Sequence, residues 1–277
     1  MAGGRVPHGG DVPAGEVGRP EGETMHVGYT GGFQNPGNMR SDAAIYADEL
    51  RLSDLRAPDG DLWPNETFFA ADLADKDAVQ RAVDGVDAVV HLGAVPDEAP
   101  FEEIAGPNLH GAFHVFEACR RANVRRVVFA SSNHASGMYP VGVPLDGHQP
   151  PRPDGLYGAS KVYGEALGRM YVDRFGLSVV CLRIGSFQPR PRERRELATW
   201  ISHADTVRLV RAALTADVDF AIVYGASANT RRWWPPDDAI GYEPQDDAEA
   251  YADGLEGDDF PYQGGHNAAP GHGGWAT

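Results

Sequence analysis

The sequence contains only two lysines, and one of them, Lys161, follows Tyr157 by four residues. In a helix this spacing puts both side chains on one face, a turn apart. Lowering a phenol pKa from about 10 to about 7 takes roughly 4 kcal/mol, which a lysine cation about 4 Å away supplies at an effective dielectric near 20. The pair is therefore a candidate general base for a sugar or alcohol hydroxyl. The alternative is a chance YxxxK pattern on a solvated helix.

The segments around this pair predict the scaffold that must position it. Short β-branched segments alternate with helical ones, as in βαβ units with a parallel sheet. The predicted strands are His26–Thr30, Glu49–Ser53, Thr67–Ala71, Val86–Leu92, Arg126–Ser131, Ser178–Ile184 and Phe220–Tyr224. The predicted helices are Asp75–Val83, Ala112–Ala122, Leu156–Phe175 and Asp205–Leu214. We therefore expect an α/β fold, a Rossmann-type doubly wound parallel sheet with a small C-terminal substrate-binding region.

The segment after the first strand is a candidate phosphate-binding turn. Its sequence, TGGFQNPG at 30–37, is glycine-rich, which would let backbone N–H groups approach the pyrophosphate of a dinucleotide. It matches the pattern TGxxGxxG at Gly31 and Gly37 but has Gln34 in place of the middle glycine. Taken alone, this loop is a weak prediction of cofactor binding.

An acidic residue strengthens the cofactor prediction. Asp54 ends the second strand about 20 residues after the glycine loop, where a carboxylate binds the adenosine ribose and excludes a 2′-phosphate, so NAD is favoured over NADP. An ordinary turn residue at the strand end is the alternative. Further candidate cofactor contacts follow strands three and four or open the next helix, and they are Asp72, Leu73, Leu92, Gly93, Ala94 and Asn108.

The predicted domain organisation follows from these elements. We assign 25–185 to an NAD-binding Rossmann domain, to which 204–224 return, and 186–203 with 225–255 to the substrate-binding region. Residues 1–24 and 256–277 are rich in Gly and Pro or aperiodic, so we expect a disordered leader and a disordered tail.

Composition excludes several classes of partner. Forty acidic and 24 basic residues give a net charge of −16, which repels phosphates and argues against nucleic acid or an anionic membrane. The acidic surplus with few lysines favours a halophilic protein, although a high-GC genome in which arginine replaces lysine is the alternative. No apolar run is long enough to span a membrane, and residues 1–24 lack the apolar core of a secretory signal. We therefore expect a cytoplasmic protein, which could form a homo-oligomer.

Histidine and cysteine do not predict a metal or disulfide site. The two cysteines are too few for a disulfide framework. His110 and His114 have the spacing of metal ligands, but the glutamate of HExxH and a third ligand are missing, so we expect no metal.

Five motifs identify a family. The runs FASSNH at 129–134 and PDGLYGASK at 153–161 resemble the extended short-chain dehydrogenase/reductases, the NAD-dependent epimerase/dehydratase family. The runs RIGS at 183–186, TWISH at 199–203 and GASAN at 225–229 look like those of the uronate dehydrogenases within it. The resemblance covers about residues 26–251, and its motifs are specific only from residue 86 onward.

The resemblance implies a role for individual residues. Tyr157 would be the base, Lys161 would lower its pKa and hold the nicotinamide ribose, and Ser132 would hydrogen-bond the reacting hydroxyl. Ile184 would be a further cofactor contact. The implied substrate contacts are Ser132, Asn133 and His134 for sugar hydroxyls and Ser186 and Arg195 for a carboxylate. Pro96 stands where the family often has a serine that contacts the substrate.

The implied activity is NAD-dependent oxidation of a uronic acid (galacturonate or glucuronate) at C1 to the aldarolactone. Two alternatives stay open on the sequence. One is an NAD-dependent aldose or glucose-6-phosphate dehydrogenase of the same family, because the arginines near Arg195 could meet a phosphate. The other is a non-catalytic dinucleotide-binding protein, which the substitution at Gln34 suggests.

Overall fold

The computed structural model describes residues 25–30, 47–257 and 259–269. The predicted leader lies outside these residues. So do three predicted cofactor contacts, Gly31, Gln34 and Gly37.

Within the described residues, nine strands form two sheets. They are β1 His26–Thr30, β2 Glu49–Asp54, β3 Glu66–Ala70, β4 Ala88–His91, β5 Arg126–Ser132, β6 Ser178–Ile184, β7 Ser186–Phe187, β8 Trp200–Ile201 and β9 Phe220–Gly225. Seven of them form one parallel sheet in the order β3-β2-β1-β4-β5-β6-β9, and β7 pairs with β8. The strand order reverses between β1 and β4, where doubly wound sheets bind their ligands. The predicted doubly wound α/β fold is confirmed.

Helices cover both faces of this sheet. They are α1 Lys76–Val83, α2 Phe101–Ile104, α3 Gly111–Arg121, α4 Leu156–Phe175, α5 Glu196–Thr199 and α6 His203–Thr215. One buried cluster packs Val90, Val128 and Val180 against α6, and the other packs Val89, Val127 and Val179 with residues of α1, α3 and α4. Alternate residues of each strand thus enter opposite cores, which explains why these strands read as continuous apolar runs. No described helix is both long enough and apolar enough to cross a membrane.

The strands and helices named in the sequence analysis are all present, with ends within two residues of the prediction. The helical segment at 101–110 was not predicted, because Gly106 and Pro107 interrupt its pattern. Its second part, Ala105–His110, is a π-helix that continues directly into α3.

Helix α4 lies unusually close to the sheet. Gly164 and Gly168 face β5 and β6, and a Cβ at Gly164 would overlap the ring of Phe129. Between these two glycines, the two oxygens of Glu165 accept from Nε and Nη2 of Arg183 in β6, each at 2.8 Å. This ion pair is buried and bidentate, so it fixes the helix against β6 with little rotational freedom.

Residues 259–269 pack against the body of the protein, so the expected disordered tail does not begin at residue 256. Gln263 and Gly264 donate from their backbone N–H groups to the carbonyls of Tyr139 (2.9 Å) and Gly137 (2.8 Å). The Gln263 side chain is buried and donates to two further carbonyls, those of Pro140 and Val143. Glycine content suggested disorder here, but these contacts satisfy the backbone through tertiary pairing that has no local sequence signal.

Candidate active site

A cleft of about 390 Å³ opens at the carboxyl ends of β4, β5 and β6. Ser132 ends β5, Ile184 ends β6, and α4 brings Tyr157 and Lys161 to the same cleft within its first two turns. We call Ser132, Tyr157 and Lys161 the phenol end. The other end, which we call the arginine end, consists of Asn133, Ser186, Arg195 and Gln263.

The side chains of the phenol end are shielded from solvent. Ser132, Tyr157 and Lys161 are all buried, with exposed fractions of 5%, 8% and 5%. Ser132 lies close enough to lower the pKa of the Tyr157 phenol, and Lys161 Nζ lies 5.5 Å from the centroid of the Tyr157 ring. The predicted helical spacing therefore brings phenol and ammonium together on one face of α4.

Burial, rather than Lys161, dominates the acid–base properties of these side chains. Desolvation raises the pKa of Tyr157 to about 12, with smaller raising effects from Asp97 and Asp154 and a lowering effect from the Ser132 hydrogen bond. Burial also lowers the pKa of Lys161 to about 8. The sequence argument placed a full charge about 4 Å away at an effective dielectric near 20 and ignored desolvation of both groups. The expected lowering of the Tyr157 pKa by Lys161 is therefore wrong for the protein without ligands, in which burial raises that pKa.

His134 is held by a carboxylate that the sequence analysis did not assign. Its Nδ1 lies 2.7 Å from Oδ2 of Asp154, whose side chain is 1% exposed, while the imidazole packs edge-on against the ring of Tyr157. A Cβ at Gly137 or Gly264 would overlap the same Asp154 oxygen, so both positions must lack a side chain. This carboxylate fixes the orientation of the imidazole, and the other ring nitrogen is left to meet a ligand.

At the arginine end, the hydrogen-bond partners of the Arg195 guanidinium are all neutral. Arg195 donates from Nε (3.1 Å) and Nη2 (2.7 Å) to the Gln263 carbonyl, and its Nη1 lies 3.5 Å from the Ser186 hydroxyl. With its amide oriented to satisfy both neighbours, Asn133 accepts from Arg195 Nη2 at 3.0 Å and donates to the Ile184 carbonyl.

No carboxylate of the described residues lies within ion-pair distance of Arg195, whereas Arg192, Arg194 and Arg208 each have one. Desolvation lowers the pKa of Arg195, yet a guanidinium remains charged. This half-buried cation with neutral partners can bind an anion.

The predicted cofactor residues lie around the switch point of the sheet. Asp54 ends β2, and its Oδ1 accepts from the N–H of Leu55 (2.6 Å), whereas Oδ2 accepts no hydrogen bond from the described residues. Leu92 and Ala94 line the cleft at the end of β4, and Ile184 does so at the end of β6. A carboxylate with a free oxygen at this strand end suits the hydroxyl groups of a ribose, so this part of the fold fits NAD.

Three other predicted cofactor contacts are engaged within the protein. Asn108 is buried, and its amide bonds both backbone groups of Val95 and the Ser160 hydroxyl. Leu73 packs against Gly93, where a Cβ would lie 2.8 Å from Leu73 Cδ1. Asp72 is exposed and accepts from the N–H of Ala74 in the turn before α1. Direct contact of these side chains with NAD stays a prediction. The Asn108 bonds to Val95 hold the loop after β4, whose neighbouring residues Ala94 and Pro96 line the cleft.

Three residues of the site had no recognisable sequence signal, namely Glu98, Asp154 and Gln263. Each acts through a partner more than 15 residues away in the chain. His266 and Asn267 also line the cleft, from a segment predicted to be disordered. Among the described residues, no group of three or more His, Cys, Asp or Glu side chains could hold a metal ion.

Comparison with known proteins shows the family of this chain. The family model described as NAD dependent epimerase/dehydratase family matches residues 39–240. A uronate dehydrogenase from Pseudomonas syringae pv. tomato is 45% identical over 84% of this chain and 89% of its own length. An NAD-dependent glucose-6-phosphate dehydrogenase from Haloferax volcanii is 38% identical over 74% of this chain and 84% of its own length.

Solved structures agree with the sequence relatives. A mutant of uronate dehydrogenase from Agrobacterium tumefaciens, solved in complex with NAD, superimposes with a TM-score of 0.82 at 41% identity. The match covers 89% of this chain and 97% of that one. The resemblance inferred from the motifs is thus confirmed: the chain belongs to the NAD-dependent epimerase/dehydratase family and is similar to the uronate dehydrogenases over most of its length.

Proposed function

We propose that this protein oxidises a uronic acid at C1 to the corresponding aldarolactone, with NAD as the oxidant. The observation that carries the proposal is the pairing, across one cleft, of a tyrosine–serine proton acceptor with an arginine that lacks a carboxylate partner among the described residues. A cyclic uronic acid has both matching groups, the hemiacetal hydroxyl at C1 and the carboxylate at C6.

The arginine end positions the substrate. The planar guanidinium of Arg195 suits bidentate binding of the C6 carboxylate, and Asn133 and the Gln263 carbonyl fix its plane. Ser186 adds a hydroxyl beside Nη1. His134, oriented by Asp154, offers a ring nitrogen to a sugar hydroxyl. Binding at these distant groups orients C1 before reaction.

The phenol end moves the proton. Tyr157, as phenolate, removes the proton of the C1 hydroxyl, while Ser132 hydrogen-bonds the same oxygen as it becomes the lactone carbonyl. NAD, when bound, supplies the acceptor for the hydride that leaves C1. Burial of Ser132, Tyr157 and Lys161 keeps water from the reacting atoms.

An assay of NADH formation tests the proposal. Galacturonate and glucuronate should be turned over, while glucose 6-phosphate and neutral aldoses should be poor substrates. We also propose that the protein is cytoplasmic and adapted to high salt, and measurements in 0.1 M and roughly molar salt test the adaptation. Turnover of the phosphate ester alone would instead favour the function of the Haloferax volcanii relative.

Calorimetry with NAD addresses the non-catalytic alternative. Binding is expected, because Ser132, Tyr157 and Lys161 would serve no purpose in a protein without the cofactor. If wild-type protein does not bind NAD but Gln34→Gly does, the glycine loop has lost its function and the proposal is wrong.

A further inference from the structure

The loop between β4 and α2 reaches the catalytic helix through one carboxylate. The oxygens of Glu98 accept hydrogen bonds from the backbone N–H groups of Leu156 (2.9 Å) and Tyr157 (3.0 Å). These are the first two residues of α4, whose N–H groups have no acceptor inside the helix. The N-cap, Gly155, makes no side-chain capping bond, so a residue more than 50 positions away supplies the acceptor.

This contact leaves no room for a side chain at the N-cap unless Glu98 moves away. A Cβ at Gly155 would overlap the Glu98 carboxylate. The backbone of Gly155 is extended (φ −165°, ψ −173°), a conformation open to other residues. The restriction to glycine therefore comes from Glu98 and not from the backbone.

We propose that Glu98 is a positioning residue for Tyr157, an inference that rests on the proposed function of Tyr157 as the base. Glu98 holds the N–H of Tyr157 itself, so it fixes the backbone from which the phenol extends. Its neighbours Pro96 and Asp97 line the cleft, so one short loop contacts both the ligand space and the base. The negative charge also suits the positive end of the α4 dipole.

Kinetics of Glu98 variants test this role. Misplacing a reacting group by 1 Å can cost about 10²-fold, so we expect Glu98→Ala to lower kcat about 10- to 100-fold. Glu98→Gln should cost less, because the amide oxygen still accepts from one of the two N–H groups. The NAD dissociation constant should stay within about twofold, since a displaced base leaves the cofactor site intact. The matched control is Glu102→Ala, because Glu102 is exposed and the described residues give its side chain no hydrogen bond.

Gly155→Ala breaks the same contact from the other side. The new methyl group displaces the carboxylate, so kcat should fall as in Glu98→Ala. In the Glu98→Ala background the methyl group finds open space, and the second substitution should have little further effect, which a double-mutant cycle measures. Gly106→Ala is the control, because a Cβ there meets nothing within 4 Å.

Amide hydrogen exchange tests the contact without any assay of activity. Leu156 and Tyr157 should be protected in wild-type protein and exchange faster in Glu98→Ala, at temperatures well below the Tm of each variant. If wild-type protein turns over no uronate, the proposed function fails, while unprotected amides would overturn the Glu98 contact. The positioning role is overturned if kcat in Glu98→Ala equals that in Glu102→Ala, or if the two losses in the double mutant simply add.

Discussion

The two ends of the cleft are built in opposite ways. The phenol end takes its residues from β5 and one face of α4, where packing and burial hold them. The arginine end joins segments as distant as Arg195 and Gln263, 68 positions apart, through hydrogen bonds to neutral oxygens. The side chains of one end are buried, whereas the other end has a half-buried guanidinium whose partners are neutral.

This difference suits the phenol end to proton transfer and the arginine end to binding of the substrate. Burial raises the pKa of Tyr157 to about 12 and keeps the phenol protonated in the free protein, so it can act as a base only once ligand binding lowers that pKa. A guanidinium with neutral hydrogen-bond partners is poised for an anion, because no carboxylate of the described residues lies within ion-pair distance, although Glu193, Glu196 and Asp154 act on it from farther away. Changes at the phenol end should therefore alter kcat, and changes at the arginine end should alter KM.

The largest effect is expected from Tyr157→Phe. Removing the hydroxyl deletes the proton acceptor, and general-base catalysis contributes roughly 10²- to 10⁴-fold, so kcat should fall about 10³-fold. NAD affinity, measured by calorimetry, should change less than about twofold. Substantial turnover by this variant would remove the phenol from the mechanism.

Arg195→Lys tests the other end. Lysine keeps the charge but not the planar fork, so the KM for uronate should rise about 10- to 100-fold while kcat changes less. Arg194→Lys is the matched control, since Arg194 is exposed and its ion pair is long, with 3.7 Å between Nη1 and Oδ1 of Asp259. Equal effects of the two substitutions would contradict a carboxylate-binding role for Arg195.

Gln263→Ala loosens the arginine end without touching the guanidinium. The side-chain amide anchors the segment by accepting from Trp234 Nε1 and donating to two carbonyls. Its loss should raise the KM for uronate about 3- to 10-fold, as expected for one or two weakened hydrogen bonds, and lower the Tm. An unchanged KM would show that Arg195 keeps its geometry without this segment.

Asp97→Asn should give the smallest effect, at the phenol end. The groups facing Tyr157 are Lys161, His134, Asp154 and Asp97, and the Asp97 charge contributes to raising the Tyr157 pKa. Removing it lowers that pKa, so more phenolate exists at a given pH and the acid limb of kcat against pH moves to lower pH.

The exposed position of Asp97 keeps this shift small, and roughly molar salt should abolish it because the Debye length is then about 3 Å. Glu102→Gln should leave the profile unchanged. A shift of the limb to higher pH in Asp97→Asn would contradict the assignment of the limb to Tyr157.

Local sequence patterns predicted one end of the cleft far better than the other. Strand and helix periodicity located β5 and α4 because their residues are specified by neighbours within a few positions. The spacing of Tyr157 and Lys161 is likewise local, as is the position of Asp54 at a strand end. Arg195 was found only through family resemblance, because among several nearby arginines nothing local distinguishes it.

What could not be predicted depends on contacts across the fold. The acceptors from Glu98, Asp154 and Gln263 pair with residues distant in the chain, and the glycine-rich sequence gave no sign that the Gln263 side chain is buried. The pKa of Tyr157 was misjudged for a related reason, since desolvation follows from tertiary packing and not from the YxxxK spacing.

The late position of Gln263 has a consequence for biosynthesis. Chains fold progressively as they leave the ribosome, and the last strand of the large sheet, β9, ends at Gly225. The sheet and its helices can therefore assemble before residues 259–269 emerge. The nascent protein would therefore form its dinucleotide fold first, and Arg195 would gain its Gln263 acceptor only at the end of synthesis.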